Sequence, residues 1–243
     1  MFMVIFEVQP RKERFDEYLE IAKSLKPHIE KIDGFIDNER YASKRSEGRI
    51  LSLSTWRDEK AVIRWRTLAA HHQAQEKGRS EIFRDYHLRV GEVVADTQPP
   101  KDHIVREQRL DETEVGAAKV VTISEMPAKD GKPASADLAT DLGLDKARNP
   151  DLLDHEIFES IYNPGKLVLL VSWRDADAAA AWRPAAIATA KSLRHRQVRI
   201  IRDYGMFERR EAPQFYPEVQ RPQPSSPGAP RRDNCLRLIV PRL

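Results

Sequence analysis

Residues 1–211 are predicted to form an α+β fold from two copies of one β-α-β-β-α-β module, on three observations. A segment repeats at a constant offset, the four tryptophans divide two and two between the copies, and the same order of strand-like and helix-like segments runs through each. Residues 39–66 read ERYASKRSEGRILSLSTWRDEKAVIRWR and residues 156–183 read EIFESIYNPGKLVLLVSWRDADAAAAWR, 117 positions apart. Trp56-Arg57-Asp58 meets Trp173-Arg174-Asp175, and Trp65-Arg66 meets Trp182-Arg183. With one residue of drift, Arg84-Asp85-Tyr86 is echoed by Arg202-Asp203-Tyr204. Matched tryptophans inside matched apolar patterns indicate duplication.

In the first copy, Phe2 to Val8 has the β-branched and aromatic content of a strand and stops at Pro10. Residues 11–31 place Phe15, Tyr18, Leu19, Ala22, Leu25 and Ile29 at helical spacing, with Pro27 disturbing the last turn and Gly34 as the stop. Phe35 to Ser43 and Arg49 to Trp56 are strands about a turn at Ser46-Glu47-Gly48. Asp58 is a helix cap, a helical region runs from Glu59 to about Phe83, and Tyr86 to Val94 is the last strand. This order is the ferredoxin-like split unit.

The second copy begins with a strand at Lys119 to Met126, and a stretch containing Pro, Gly and a short helical piece replaces the long first helix. His155 to Tyr162 and Lys166 to Trp173 form a hairpin about Asn163-Pro164-Gly165. An Ala-rich helix at Asp175 to Leu193, interrupted by Pro184, and a strand at Val198 to Glu208 complete it. The predicted organisation is a first module over 1–96, a polar linker over 97–117, a diverged second module over 118–211 and a Pro- and Arg-rich tail over 212–243. The tail holds seven of the 16 prolines; an arm docked near Phe215-Tyr216 and then disorder are expected there. A sheet with helices on one face leaves the other bare, so the two modules are expected to pack sheet to sheet as an intramolecular pseudo-dimer. The chain is then either a monomeric pseudo-dimer or a homodimer.

Net charge is 41 − 38 = +3, and the tail alone contributes 5 − 2 = +3, so the body is neutral. That argues against nucleic acid as a partner, which requires clustered cations on a folded face. The first ten residues lack the apolar core of a signal peptide, and no run nears the roughly 18 apolar residues of a membrane helix. With one cysteine, Cys235, no internal disulfide can form. The expectation is a soluble, cytoplasmic protein with no membrane partner. There is no Gly-rich phosphate loop, no Cys/His zinc spacing and no G-x-S-x-G motif.

Gly34-Phe35, the strand Ser52 to Trp56, Trp65 nine residues on, His71-His72, Gly78-Arg79 and the ending FRDYHLRVGEV together resemble the antibiotic biosynthesis monooxygenase family. The resemblance covers residues 34–94, with a fainter echo over 151–208. It implies a dimeric α+β barrel with substrate held between the sheet and the helices of a module. In members without a cofactor, it implies that a polar group deprotonates a phenolic or anthrone-like substrate whose carbanion reduces O2. A base near neutrality suits that step, and an indole gives an aromatic ring a flat wall.

Trp65, His71 and His72 are therefore the candidate catalytic residues. Neighbours on a helix point about 100° apart, so only one of the two histidines faces the cleft readily. The second copy has Ala188 and Thr189 near these positions, which places the site in the first module and makes the second a scaffold. In haem-degrading members the resemblance implies a first-strand Asn, a Trp and an axial His. Trp65 fits, but Gln75 stands at the ligand position and no Asn lies between Met1 and Pro10. Trp56 and Trp173 recur in both copies and are read as core anchors; Tyr86 and Tyr204 are read as core or as a bond across the module interface.

The leading expectation is a monooxygenase acting with O2 on a small aromatic or polycyclic phenol or quinol, with no cofactor and no metal. Two alternatives remain: a haem-binding or haem-degrading monooxygenase, and a non-catalytic ligand-binding or stress-response module.

Overall fold

The structure is a computed structural model describing residues 1–129, 137–188 and 190–221. Its elements are β1 (Phe2–Pro10), α1 (Phe15–Ile29), β2 (Phe35–Ser43), β3 (Ile50–Trp56), α2 (Glu59–Thr67), α3 (Ala69–Lys77) and β4 (Phe83–Asp96) in the first half. The second half has β5 (Val120–Met126), α4 (Leu138–Asp141), β6 (Leu152–Ser160), β7 (Leu167–Trp173), α5 (Ala176–Ala181) and β8 (Arg194–Gly205). Cys235 and the Pro-rich end read as disordered lie outside the described residues, as do Thr189 and part of the stretch that replaces the second copy's first helix.

The strands close into one barrel in the order β1-β3-β2-β6-β7-β5-β8-β4. Each half keeps the antiparallel order of a ferredoxin-like sheet, β4-β1-β3-β2 and β8-β5-β7-β6, and the halves join edge to edge through β2–β6 and β4–β8. Alternation along the strands explains the closure. Met3 and Ile5 of β1 point into the lumen and bury fully against Ile123, Val168 and Leu170 of the other half. Val4 and Phe6 point outward toward α1 and α2. One module's bare β-face is thus covered by its copy's.

The register shows which positions are equivalent. Phe2 pairs with Trp56 and Glu92 in the first half, and Val120 pairs with Trp173 and Arg199 in the second. Glu92 and Arg199 are therefore counterparts, and they pair with each other in the β4–β8 seam. Ala42 and Glu159, 117 apart, likewise pair in the β2–β6 seam. A pseudo-two-fold axis passes through both places, the arrangement of an isologous dimer made from one chain. The echo of Arg84-Asp85-Tyr86 in Arg202-Asp203-Tyr204 does not mark equivalence. Trp56 and Glu92 are 36 positions apart, Trp173 and Arg199 only 26, so the second copy has lost ten residues between its β7 and β8.

The loss falls on helix. The Ala-rich helix expected over 175–193 is only Ala176–Ala181; Trp182 is extended and irregular chain follows it. The single helical region expected from Glu59 to Phe83 is α2, α3 and a π-turn over Gly78–Ile82. The break falls at Leu68, which is extended at ψ 129° and serves as C-cap of one helix and N-cap of the next. Pro27 sits in the last turn of α1, which runs two residues past it.

Matching caps and ion pairs run through both copies. Asp58 and Asp175 accept the amide N–H of Ala61 (2.9 Å) and of Ala178 (2.8 Å) at the starts of α2 and α5. Trp56 and Trp173 are fully buried, their indole N–H groups donating to Ser54 and Thr122 at 2.9 Å. Arg89 pairs with Glu7 at 2.5 Å and Arg196 pairs with Glu125, all four buried. Each arginine also reaches across: Arg89 donates to Ser172 on β7 (2.8 Å) and Arg196 to Thr55 on β3 (3.2 Å). No described helix is long and apolar enough to cross a membrane.

Candidate functional site

A cavity of about 210 Å³ lies in the first half between the outer face of the sheet and α1, α2 and α3. Val4 and Phe6 of β1 with Leu88 and Val90 of β4 form an apolar floor; Ile21 and Leu25 of α1 form much of the roof. The corresponding space in the second half is packed with its own side chains. There Leu138, Leu142, Trp173 and Trp182 are buried in one cluster, with Ile187 against it. A shortened α5 and a one-turn α4 let the chain collapse onto the sheet.

Trp65 and His71 both line the cavity, their rings stacked at 4.0 Å and 15°. The break at Leu68 makes this contact. In an unbroken helix the Trp65 carbonyl would accept from the amide four residues on; here it accepts from the Leu68 amide at 3.3 Å and from His71 Nδ1 at 2.9 Å. A carbonyl can only accept, so His71 Nδ1 carries the proton and Nε2 is the basic nitrogen. The Gln75 amide nitrogen makes the longer contact with Nδ1, 3.3 Å. Burial lowers the His71 pKa to about 4, outweighing the Trp65 carbonyl, which raises it; the ring is neutral at pH 7.

His72 is not among the cavity's lining residues. Its ring stacks on Tyr216 at 5.7 Å, and its Nδ1 is 3.1 Å from the Tyr216 hydroxyl, which donates to Gln75 Oε1 at 2.7 Å. The expected docked arm is thus held by Tyr216, whereas Phe215 is 90% exposed. Tyr216, Pro213 and Gln214 close one side of the cavity.

Several polar lining residues escaped the sequence reading. On β2, Asn38 donates to Ser52 Oγ (3.1 Å) and to the Leu53 carbonyl (2.8 Å) and accepts from Arg40 (3.2 Å). Arg79, buried at the π-turn, donates to the Tyr86 hydroxyl at 2.8 Å and to the Met206 carbonyl at 3.1 Å. Arg209 donates to the same hydroxyl at 2.7 Å. With two bonds accepted, Tyr86 keeps its own O–H to offer. Arg202 and Tyr204 of β8 also line the cavity, because they pair with Val90 and Leu88 of β4 and share their face. The second copy is therefore more than a scaffold: its last strand completes the first copy's pocket. Arg79, Tyr86, Arg202 and Tyr204 stand in stretches that the sequence reading singled out for other reasons, the family likeness and the repeat, while nothing in the sequence marked Asn38 or Arg209.

Gly78 has a steric reason. A β-carbon there would fall 2.4 Å from Cε2 of Phe83, a ring that lines the cavity. Glu59 is the one carboxylate among the lining residues, and it is bound to Arg109. No group of three or more His, Cys, Asp or Glu placed to hold a metal occurs among the described residues.

A barrel of two fused ferredoxin-like halves, with a cavity between sheet and helices in the first half and a packed core in the same place in the second, defines the class: a tandem dimeric α+β barrel. The family described as antibiotic biosynthesis monooxygenase matches residues 1–77. The protein named Jasmonate monooxygenase ABM from Pyricularia oryzae is 45% identical over 221 residues, spanning 89% of this chain and 99% of that relative. This chain belongs to the antibiotic biosynthesis monooxygenase family. Among solved structures, an aldoxime dehydratase in complex with butyraldoxime aligns with a TM-score of 0.52 at 9% identity, over 82% of this chain and 79% of its own. A second aldoxime dehydratase gives 0.51 at 12% identity, over 82% and 81%. At those identities the likeness concerns the fold alone.

Proposed function

We propose that the chain is a monooxygenase that ionises a small, largely apolar substrate in the first-half cavity and lets the resulting anion react directly with O2. The observation that carries this reading is the Trp65–His71 pair, which sets a neutral, tautomer-fixed base against an apolar cavity that also holds arginines with no carboxylate in ion-pair contact. His71 Nε2 takes the proton; burial makes it a weaker base than the near-neutral one expected, so cations in a low-dielectric space must lower the substrate's own pKa by stabilising the phenolate or enolate, while the Trp65 indole supports its ring. For an active methylene beside an aromatic carbonyl, the carbon becomes a carbonyl, one oxygen atom of O2 stays on it and the other leaves as water. All four electrons taken up by O2 come from that carbon, so the balance needs no external reductant.

Phenols, quinols and anthrones are the first substrate class to test. The relative's name adds jasmonate, an enolisable cyclopentanone bearing a carboxylate. The described residues do not fit a haem. Gln75 stands at the position the family likeness gives to the axial ligand, with its side-chain oxygen tied to Tyr216, and the His71 face is covered by Trp65.

The test is O2 uptake with anthrones, quinols and jasmonate on the purified full chain. His71→Ala is expected to slow uptake by about 100-fold or more, the scale of a lost general base, while His72→Ala changes it less than about threefold. Uptake unchanged in His71→Ala would remove the assignment. Tight binding of all these compounds without uptake would make the chain a binding module, and a Soret shift on haemin titration would make it a haem protein.

A further inference from the structure

Four arginines gather at one end of the cavity, around Tyr86 and Tyr204. Arg79 and Arg209 both donate to the Tyr86 hydroxyl. The Arg209 guanidinium lies 5.5 Å from the Tyr204 ring centre, and Arg66 and Arg202 act electrostatically on the same Tyr204 phenol. All four line the cavity, and none has a described carboxylate within ion-pair distance; Asp111, itself bound to Arg109, acts on Arg202 from farther off. Arg66 Nε is also buried without a hydrogen-bond partner among the described residues.

Elsewhere this chain treats arginine differently. Arg57, Arg89, Arg109, Arg194 and Arg199 each hold an acid. Collecting unpaired guanidinium groups beside an apolar cavity is costly by self-repulsion and desolvation, so the cluster is poised for an anion. The guanidinium fork matches the two oxygens of a carboxylate.

We propose that Arg66, Arg79, Arg202 and Arg209 form a receptor for a carboxylate on the substrate, with the apolar remainder of that substrate lying along Val4, Phe6 and Trp65. Its parts come from three places: Arg66 from α2 and Arg79 from the π-turn of the first half, Arg202 from β8 of the second, and Arg209 from the segment beyond it. This rests on the cavity being the substrate site. It adds what that site selects: a small apolar acid over its neutral ester.

The experiment is isothermal titration of the full chain with 2-naphthylacetate, its methyl ester and 2-naphthyl phosphate, at one pH and salt concentration. The acid is expected to bind at least about tenfold more tightly than the ester. Arg66→Gln and Arg209→Gln should each weaken the acid about tenfold and leave the ester unchanged, and Arg209→Lys should retain part of the preference. Equal binding of acid and ester, no binding of either, or tighter binding of the phosphate would overturn the receptor. If a variant loses its fold by circular dichroism, the wild-type comparison of acid and ester decides alone. The two readings fail separately: acid-selective binding without O2 uptake would retire the oxygenase and leave the receptor, and uptake on anthrones without acid preference would do the reverse.

Discussion

Glu92 Oε2 lies 3.1 Å from Arg199 Nη2, joining the two residues that occupy the same position in each half and meet on the pseudo-two-fold axis. Glu92 is fully buried and also accepts the amide N–H groups of Gln108 (2.6 Å) and Arg109 (3.0 Å), so it ties the seam to the connecting segment. Removing it orphans those two amide donors and takes from Arg199 its fully buried partner, leaving that guanidinium only the half-exposed Glu107 and the Arg109 carbonyl. Glu92→Ala is expected to cost about 3–5 kcal/mol in urea unfolding, the scale for a broken buried pair. A loss below about 1 kcal/mol would show that the seam does not rely on it.

The buried Glu7–Arg89 pair gives a pH dependence that can be signed. Burial opposes ionisation of Glu7, but Arg89, Arg49 and His87 together hold its carboxyl below the ordinary range. A depressed carboxylate contributes stability that is present above its unfolded pKa, near 4.3, and is lost as pH falls through the folded value. Glu7→Gln should lower Tm at pH 7 and make little difference near pH 2. An equal Tm loss at both ends of that range would contradict the ionic account.

His71 and His195 act in a different window. Burial holds both near pKa 4, so the folded chain resists protons that the unfolded chain takes up below about 6.5. Stability attributable to this is whole above pH 6.5 and falls as pH drops toward 4, by up to about 3 kcal/mol for deeply buried His195 and less for partly exposed His71. Histidine NMR titrations should show neither ring protonating between pH 8 and 5, with His71 as the Nδ1–H tautomer. A His71 midpoint near 6.5 would mean that its ring faces solvent.

Gly78→Ala tests the π-turn. The added methyl must displace the Phe83 ring or the turn that carries Arg79, and either change reshapes the cavity. A loss of about 1–3 kcal/mol is expected, as for overpacking, with weaker ligand binding. Unchanged stability and binding would show that the turn relaxes freely.

The fold was legible because duplication doubles every signal. Trp56/Trp173 and Asp58/Asp175 mark the same strand end and helix cap twice, and the strand alternation requires a partner for each bare face. Trp65 and His71 were legible from spacing and family likeness, although their contact depends on a break at Leu68 that no Gly or Pro announces. Equivalence in the last strand was misread because Arg-Asp-Tyr recurs in β4 and β8 at places that the ten-residue loss has moved apart. The arginine cluster was hidden for the same reason: Arg202 and Arg209 reach the first half's pocket only because β8 runs past the axis along β4.

The most direct test of the central claim is a crystal structure of the full chain with a turned-over or tightly bound small acid. The account predicts density under α1, α2 and α3 of the first half, its ring against Trp65 and within reach of His71 Nε2, and its carboxylate among the arginines beside Tyr86. Ligand in the barrel lumen, or over the second half's sheet beside Trp182, would contradict it.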